Sequence, residues 1–210
     1  MKPLFVVVEG PEGAGKSTLA RWLVARLEAE GWQVVAVREP GGTPVAEAAR
    51  KVALTSPDAL TPASELFLML AARADLVTRV IRPALAAGQV VIADRFDLST
   101  LAYQVAGAGL PRAEVEVANR LATGDLIPDI TLVLDVPVEV GRARQRRARK
   151  FRDRFERQGD AFHRRVLQAY REASGPGVVH IDASQSRQAV QDAAWREVMA
   201  ASAPTLRGVS

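Results

Sequence analysis

The chain has no cysteine, which excludes a disulfide framework, a thiolate metal site and thiol chemistry. It also has no apolar run near the ~20 residues that a membrane helix needs. The first such run, Leu4-Phe5-Val6-Val7-Val8, stops at Glu9 without the cleavage region of a signal peptide. No internal repeat, low-complexity tract or linker interrupts the 210 residues. One cytoplasmic domain over 1–204 is expected, with no membrane partner and a loose tail at 205–210. Aromatic residues are scarce, at 5%. A general basic coat is missing too, although the formal net charge is +4. The excess is confined to Arg142–Arg154, with seven arginines and one lysine against one aspartate; elsewhere acidic residues outnumber basic ones. Three readings fit that segment: a solvated helix face, a nucleic-acid patch, or a lid over phosphates. Single-strand binding usually adds stacking aromatics, and only Phe151 and Phe155 interrupt the region. One basic helix on an otherwise slightly acidic chain is a poor phosphate footprint. The lid reading is therefore favoured, at about 142–157, and no nucleic-acid partner is expected.

What is present begins at Gly10-Pro11-Glu12-Gly13-Ala14-Gly15-Lys16-Ser17, followed by Thr18. An apolar strand precedes it and a helical pattern follows, so the glycines, lysine and hydroxyl stand at the spacing of a Walker A phosphate loop. The loop glycines let backbone N–H groups converge on phosphate oxygens, Lys16 adds a point charge, and Ser17 offers a hydroxyl to a phosphate-bound Mg²⁺. The expected ligand is a nucleoside triphosphate.

Further apolar runs occur at 32–37, 90–93, 130–136 and 178–182, separated by helical patterns. Alternating strands and helices predict a parallel sheet covered on both faces, an α/β fold that gathers ligands at the strands' carboxyl ends. Glu9, Arg38, Asp94-Arg95, Asp135 and Asp182 all fall at such ends. Arg38, Arg73 and Arg95 are candidates to hold a second anion opposite the γ-phosphate, the arrangement phosphoryl transfer requires. The plainer alternative puts each of them in a surface ion pair. Asp94 is a candidate Mg²⁺ carboxylate or else a loop cap. Glu9, a carboxylate beside the loop glycines, needs a partner such as a ribose hydroxyl or metal-bound water.

Together these stretches resemble the bacterial thymidylate kinase family, which converts dTMP to dTDP with ATP and Mg²⁺ on the route to dTTP. The likeness runs from Phe5 to about Ala183. It is carried by the loop from Glu9 to Thr18, Arg38-Glu39-Pro40-Gly41-Gly42-Thr43, Ala71-Ala72-Arg73, Asp94–Gln104, Pro128–Asp135 and Asp153-Arg154-Phe155-Glu156. It implies a P-loop NTPase three-layer sandwich with a five-stranded parallel sheet in the order 2-3-1-4-5, and a homodimer. By the same resemblance the loop binds ATP, and Lys16, Arg95, Arg149 and Glu9 are catalytic. Arg38, Arg73 and Arg95 hold the dTMP phosphate, Tyr103 closes the sugar side, and Ser99 and Thr100 read the thymine edge. Glu9 approaches the sugar hydroxyl or the metal, with Ser17 and Asp94 as the other metal candidates. In the subtype with Gly13-Ala14 in the loop the catalytic arginine comes from the lid, where Arg144, Arg146, Arg149 and Arg154 are candidates and spacing favours Arg149. One departure stands out: where the family usually has a thymine-stacking Phe, four residues before Arg73, this chain has Met69, with Phe67 two residues earlier. Apolar helix faces around Leu66–Val77 and Leu101–Val105 are candidates for the dimer contact.

Overall fold

The computed structural model describes residues 3–56, 59–148, 154–155 and 158–203. Arg149 and the tail at 205–210 lie outside the described residues. Five strands, β1 (Leu4–Glu9), β2 (Val34–Arg38), β3 (Val90–Asp94), β4 (Ile130–Asp135) and β5 (Val178–Asp182), form one sheet. Its order is β2-β3-β1-β4-β5, with every neighbouring pair parallel. This is the order implied by the resemblance.

Side chains on a strand alternate faces, and the two faces of β1 are covered by different helices. Leu4, Val6 and Val8 pack with Leu19, Leu23 and Leu27 of α1 (Lys16–Ala29) and with Ala194 and Val198 of α9 (Arg187–Ser202). Phe5 and Val7 face the other way, onto Leu76 of α3 (Pro62–Leu76), Val77 and Ile81 of the wider π turn Val77–Ile81, and Ala84 of α4 (Arg82–Ala86). Glu9 is next in that alternation and belongs to the second side, which is why it meets the backbone of Phe96. The register sets Val8 beside Asp94, Arg38 beside Asp94, and Asp135 beside Asp182. The polar strand ends are thereby lined up along one edge.

The remaining helices are α2 (Pro44–Thr55), α5 (Asp97–Thr100), α6 (Arg112–Thr123), α7 (Val138–Ala148) and α8 (Asp160–Arg171). Thr43 and Thr61 cap α2 and α3 by accepting from Ala46 N and Ser64 N, each followed by proline in the first turn, where its missing N–H costs nothing. After β3, α5 runs directly into a second wider π turn, Leu101–Gly107. Leu66 and Leu70 are buried against Val115 of α6, with Leu101 and Val105 beside them, so those faces serve the chain's own core. No described helix is long and apolar enough to cross a membrane.

Candidate active site

The phosphate loop bridges β1 and α1 with Gly10, Gly13 and Gly15 all at positive φ. Gly15 caps α1 without any side-chain hydrogen bond, so the amides of Lys16 and Ser17 keep donors for an anion, while those of Thr18 and Leu19 turn back to Gly15 O. At Gly13 a Cβ would lie 2.3 Å from the carbonyl oxygen of Gly141, and a Cβ at Gly141 would lie 3.0 Å from that of Glu12. The loop and the helix leading into the arginine-rich segment therefore touch backbone to backbone. Lys16 closes on its own loop, donating from Nζ to Gly10 O at 2.9 Å and Pro11 O at 2.8 Å. Burial lowers its pKa, and the neighbouring Arg95 charge adds to this, bringing it to about 8 despite Glu12 and Asp94.

Ser17 Oγ donates to Asp94 Oδ2 at 2.5 Å, joining the start of α1 to the end of β3. A hydroxyl and a carboxylate beside a phosphate loop form the hard oxygen set that suits Mg²⁺. No group of three or more His, Asp or Glu side chains comes together among the described residues.

Arg95 is the hub. Its φ of 77° lies in the left-handed region, uncommon for so large a residue. Nη2 pairs with Glu12 and donates to Tyr103 OH at 3.1 Å, while Nη1 donates to Tyr170 OH at 2.9 Å and Ser99 Oγ at 3.1 Å. The guanidinium carbon lies 5.1 Å from the Tyr103 ring centre. Tyr103 OH also donates to Glu12 at 3.1 Å. Burial pushes the Glu12 carboxyl up, but Arg95 and Lys16 outweigh it and hold it at about 2.

Glu9 is fully buried. Oε1 accepts from Phe96 N at 2.8 Å and Ser99 N at 3.0 Å; Oε2 accepts from Ser99 Oγ at 2.8 Å and Tyr170 OH at 3.0 Å. Burial raises its pKa, against the pull of Arg95 and these donors. A carboxylate offers about four acceptor positions, so the protein has taken those expected for a sugar hydroxyl or a metal.

The three arginines expected to face one anion each have a carboxylate of their own. Arg38 is half-exposed and pairs with Glu47 at 2.9 Å, the plainer of its two readings. Arg73 is buried and gives Nε and Nη2 to Glu39 Oε2, at 2.8 and 2.6 Å. Its other donors reach Thr100 Oγ1 at 2.7 Å, Asn119 Oδ1 at 2.5 Å and Phe96 O at 2.8 Å, which occupies the whole guanidinium. Glu39 Oε1 is buried without a hydrogen-bond partner. Met69 is half-buried, whereas Phe67 stands 65% exposed.

Of the lid candidates, Arg144 is half-buried and Arg146 exposed on α7. Arg154 donates to Leu60 O at 2.8 Å and lies 3.6 Å from Glu65, which accepts from Gln104 Nε2 at 3.0 Å. Phe155 sets its ring edge-on to Tyr103 at 5.4 Å. Sequence reading missed Glu12, Glu39, Asn119 and Tyr170 as members of this network. Tyr170 lies at helical spacing with Val166 and Leu167 and reads as core, and only its buried hydroxyl, which needs a partner, hints at more.

A parallel sheet with this loop, a hydroxyl–carboxylate pair and an arginine at the adjoining strand end defines a P-loop phosphotransferase. A family model described as thymidylate kinase matches residues 8–194. Curated relatives bearing that name include one from Pseudomonas putida strain F1, 51% identical over 91% of this chain and 92% of its own. Others are from Pseudomonas fluorescens SBW25, 50% identical, and Thermomicrobium roseum, 46% identical, each over 92% of this chain and 93% of theirs. The chain belongs to the thymidylate kinase family.

Proposed function

We propose that the chain transfers the γ-phosphoryl group of ATP to the phosphate of dTMP, releasing ADP and dTDP. The observation that carries this reading is a family match that spans the phosphate loop, the Arg95 strand end and the start of the arginine-rich segment in one chain. The acceptor oxygen forms the new bond to the γ-phosphorus as the bond to the ADP oxygen breaks, so the protein's task is alignment and neutralisation. The loop from Gly10 to Thr18, through its open backbone N–H groups, and the Lys16 side chain hold the donor phosphates, Lys16 moving from the loop carbonyls to the ligand. Bound Mg²⁺, held by Ser17 and through Asp94, would neutralise charge on the phosphate oxygens. Arg95 faces the acceptor phosphate after exchanging Glu12 for it, with Arg38 released from Glu47 at the rim. Arg73 fixes Thr100 and the wall around it, and Met69 covers the base where the family usually has Phe. Glu9 acts through the hydroxyls it orients. Arg149, in the segment after Gly141, completes the charge from the lid.

A coupled assay across dTMP, dUMP, dCMP and dGMP tests the reading: dTMP should be strongly preferred, and indifference among acceptors would sink it. Lys16 gives a pH signature. Its depressed pKa means the ammonium is charged below about 8 and loses its proton above. kcat/KM for ATP, which reports the free enzyme, should fall as pH rises through that value. The limb on kcat should lie higher, because bound phosphate restores the charged form. A kcat/KM profile flat to about pH 9.5 would contradict the assignment.

The same family membership supports a homodimer. Its proposed contact is built from Val45 and Val52 on α2, Phe67 on α3, and Val117 and Leu121 on α6, all exposed, with Leu121 86% so. These helices pack in series, α2 on α3 and α3 on α6.

A further inference from the structure

We infer that Tyr170 is a positioning residue that ties the helix after the lid to Arg95. The inference rests on the role proposed above for Arg95. α8 begins at Asp160, directly beyond the arginine-rich segment, and Tyr170 lies in its last turn with no exposed surface. Its ring sits in an apolar cluster with Val133, Ala102 and Tyr103, and Phe155 packs against that cluster from the lid side. Its hydroxyl leaves the cluster and enters the polar network of the site.

Proton bookkeeping fixes what that hydroxyl does. A guanidinium only donates and an ionised carboxylate only accepts. Arg95 Nη1 donates to two hydroxyl neighbours, Tyr170 at 2.9 Å and Ser99 at 3.1 Å, with the carbonyl oxygen of Gly10 farther off at 3.4 Å. Each hydroxyl sends its single proton on to Glu9 Oε2, at 3.0 and 2.8 Å. Tyr170 and Ser99 therefore lie 3.0 Å apart as parallel bridges between one cation and one anion. The network closes on Glu9, and rotating Arg95 away would leave both hydroxyl oxygens without its donors. Glu9 ends β1 and Ser99 sits in α5 just beyond β3, whereas Tyr170 comes from α8. It is the bridge through which displacement of the lid-side helix reaches the guanidinium. Tyr170 touches no reacting atom in this scheme and acts by holding Arg95.

The test is Tyr170→Phe, which keeps the ring and removes only the hydroxyl. We expect kcat to fall about 10- to 100-fold, the scale of a misplacement near 1 Å. KM for ATP should stay within about twofold, since the donor loop is untouched. The deciding measurement is a double-mutant cycle: on an Arg95→Ala background, Tyr170→Phe should cost no further activity, because its target is gone. Equal losses in both backgrounds would mean a packing role, and wild-type kcat in Tyr170→Phe would likewise overturn the inference. If Tyr170→Phe fails to fold, Ser99→Ala is run through the same cycle; it removes the parallel bridge, and losses that simply add to those of Arg95→Ala would overturn the closed network. A fully active Arg95→Ala would overturn the Arg95 reading itself, a failure separate from that of Tyr170.

Discussion

Arg95→Ala should lower kcat by about 10³-fold or more, the range seen when an arginine that neutralises a transferring phosphoryl group is lost. Steady-state kinetics with saturating ATP and varied dTMP measures it directly. Arg95→Lys should recover little, since a lysine is a point charge without the planar fork that spans Tyr170, Ser99, Tyr103 and Glu12. The backbone adds a second check. At φ 77° a residue with a Cβ carries strain of roughly 1–2 kcal/mol, which glycine does not. Arg95→Gly should thus be as inactive as Arg95→Ala yet more stable than it in chemical denaturation. If Arg95→Ala retains more than about a tenth of wild-type kcat, the guanidinium serves only the fold and the loop.

Arg73→Ala should cost about 3–5 kcal/mol of folding stability, the usual penalty for stripping one partner from a buried ion pair. Glu39 would be left as an uncompensated carboxylate in a place where burial already raises its pKa against the pull of Arg73. Oε1 of Glu39 has no partner even now, so nothing nearby is ready to take the load. Denaturant unfolding gives the number. Removing both charges, Glu39→Leu with Arg73→Met, should be less damaging than Arg73→Ala alone, because the isolated charge disappears. Recovery should stay incomplete, since Thr100, Asn119 and the carbonyl of Phe96 lose their donor as well. A loss below about 1 kcal/mol for Arg73→Ala would mean that water reaches Glu39 on unburdening.

Much of this was legible in the chain because the signals are local. Each apolar strand ends on a polar residue, so the sheet, its parallel sense and the edge that carries the chemistry follow from short windows. The phosphate loop is eight contiguous residues. What stayed hidden depends on partners distant in sequence. Glu12 meets Arg95 across 83 residues and Tyr170 meets Glu9 across 161, and no periodicity links them. The apolar face around Leu66 and Leu70 reads equally as core or contact surface, and only the packing of α6 against it decides. The π turn at Leu101–Gly107 places Tyr103 and Gln104, yet one residue of widening in a helix is set by tertiary packing rather than composition. Arg38 and Arg73 share a residue type and an expected role, but one is half-exposed and the other enclosed.

The bare contact between Gly13 and Gly141 has a consequence for how charge can be delivered here. With a carbonyl oxygen 2.3 Å from where its Cβ would be, position 13 cannot carry a side chain while α7 stays seated. An arginine at position 13 and this helix against the loop are mutually exclusive occupants of one space. Charge for a transferring group must then come from outside position 13. Beyond Gly141, Arg142 is already paired with Asp160, while Arg154 is held by the carbonyl of Leu60 and Phe155 lies against Tyr103.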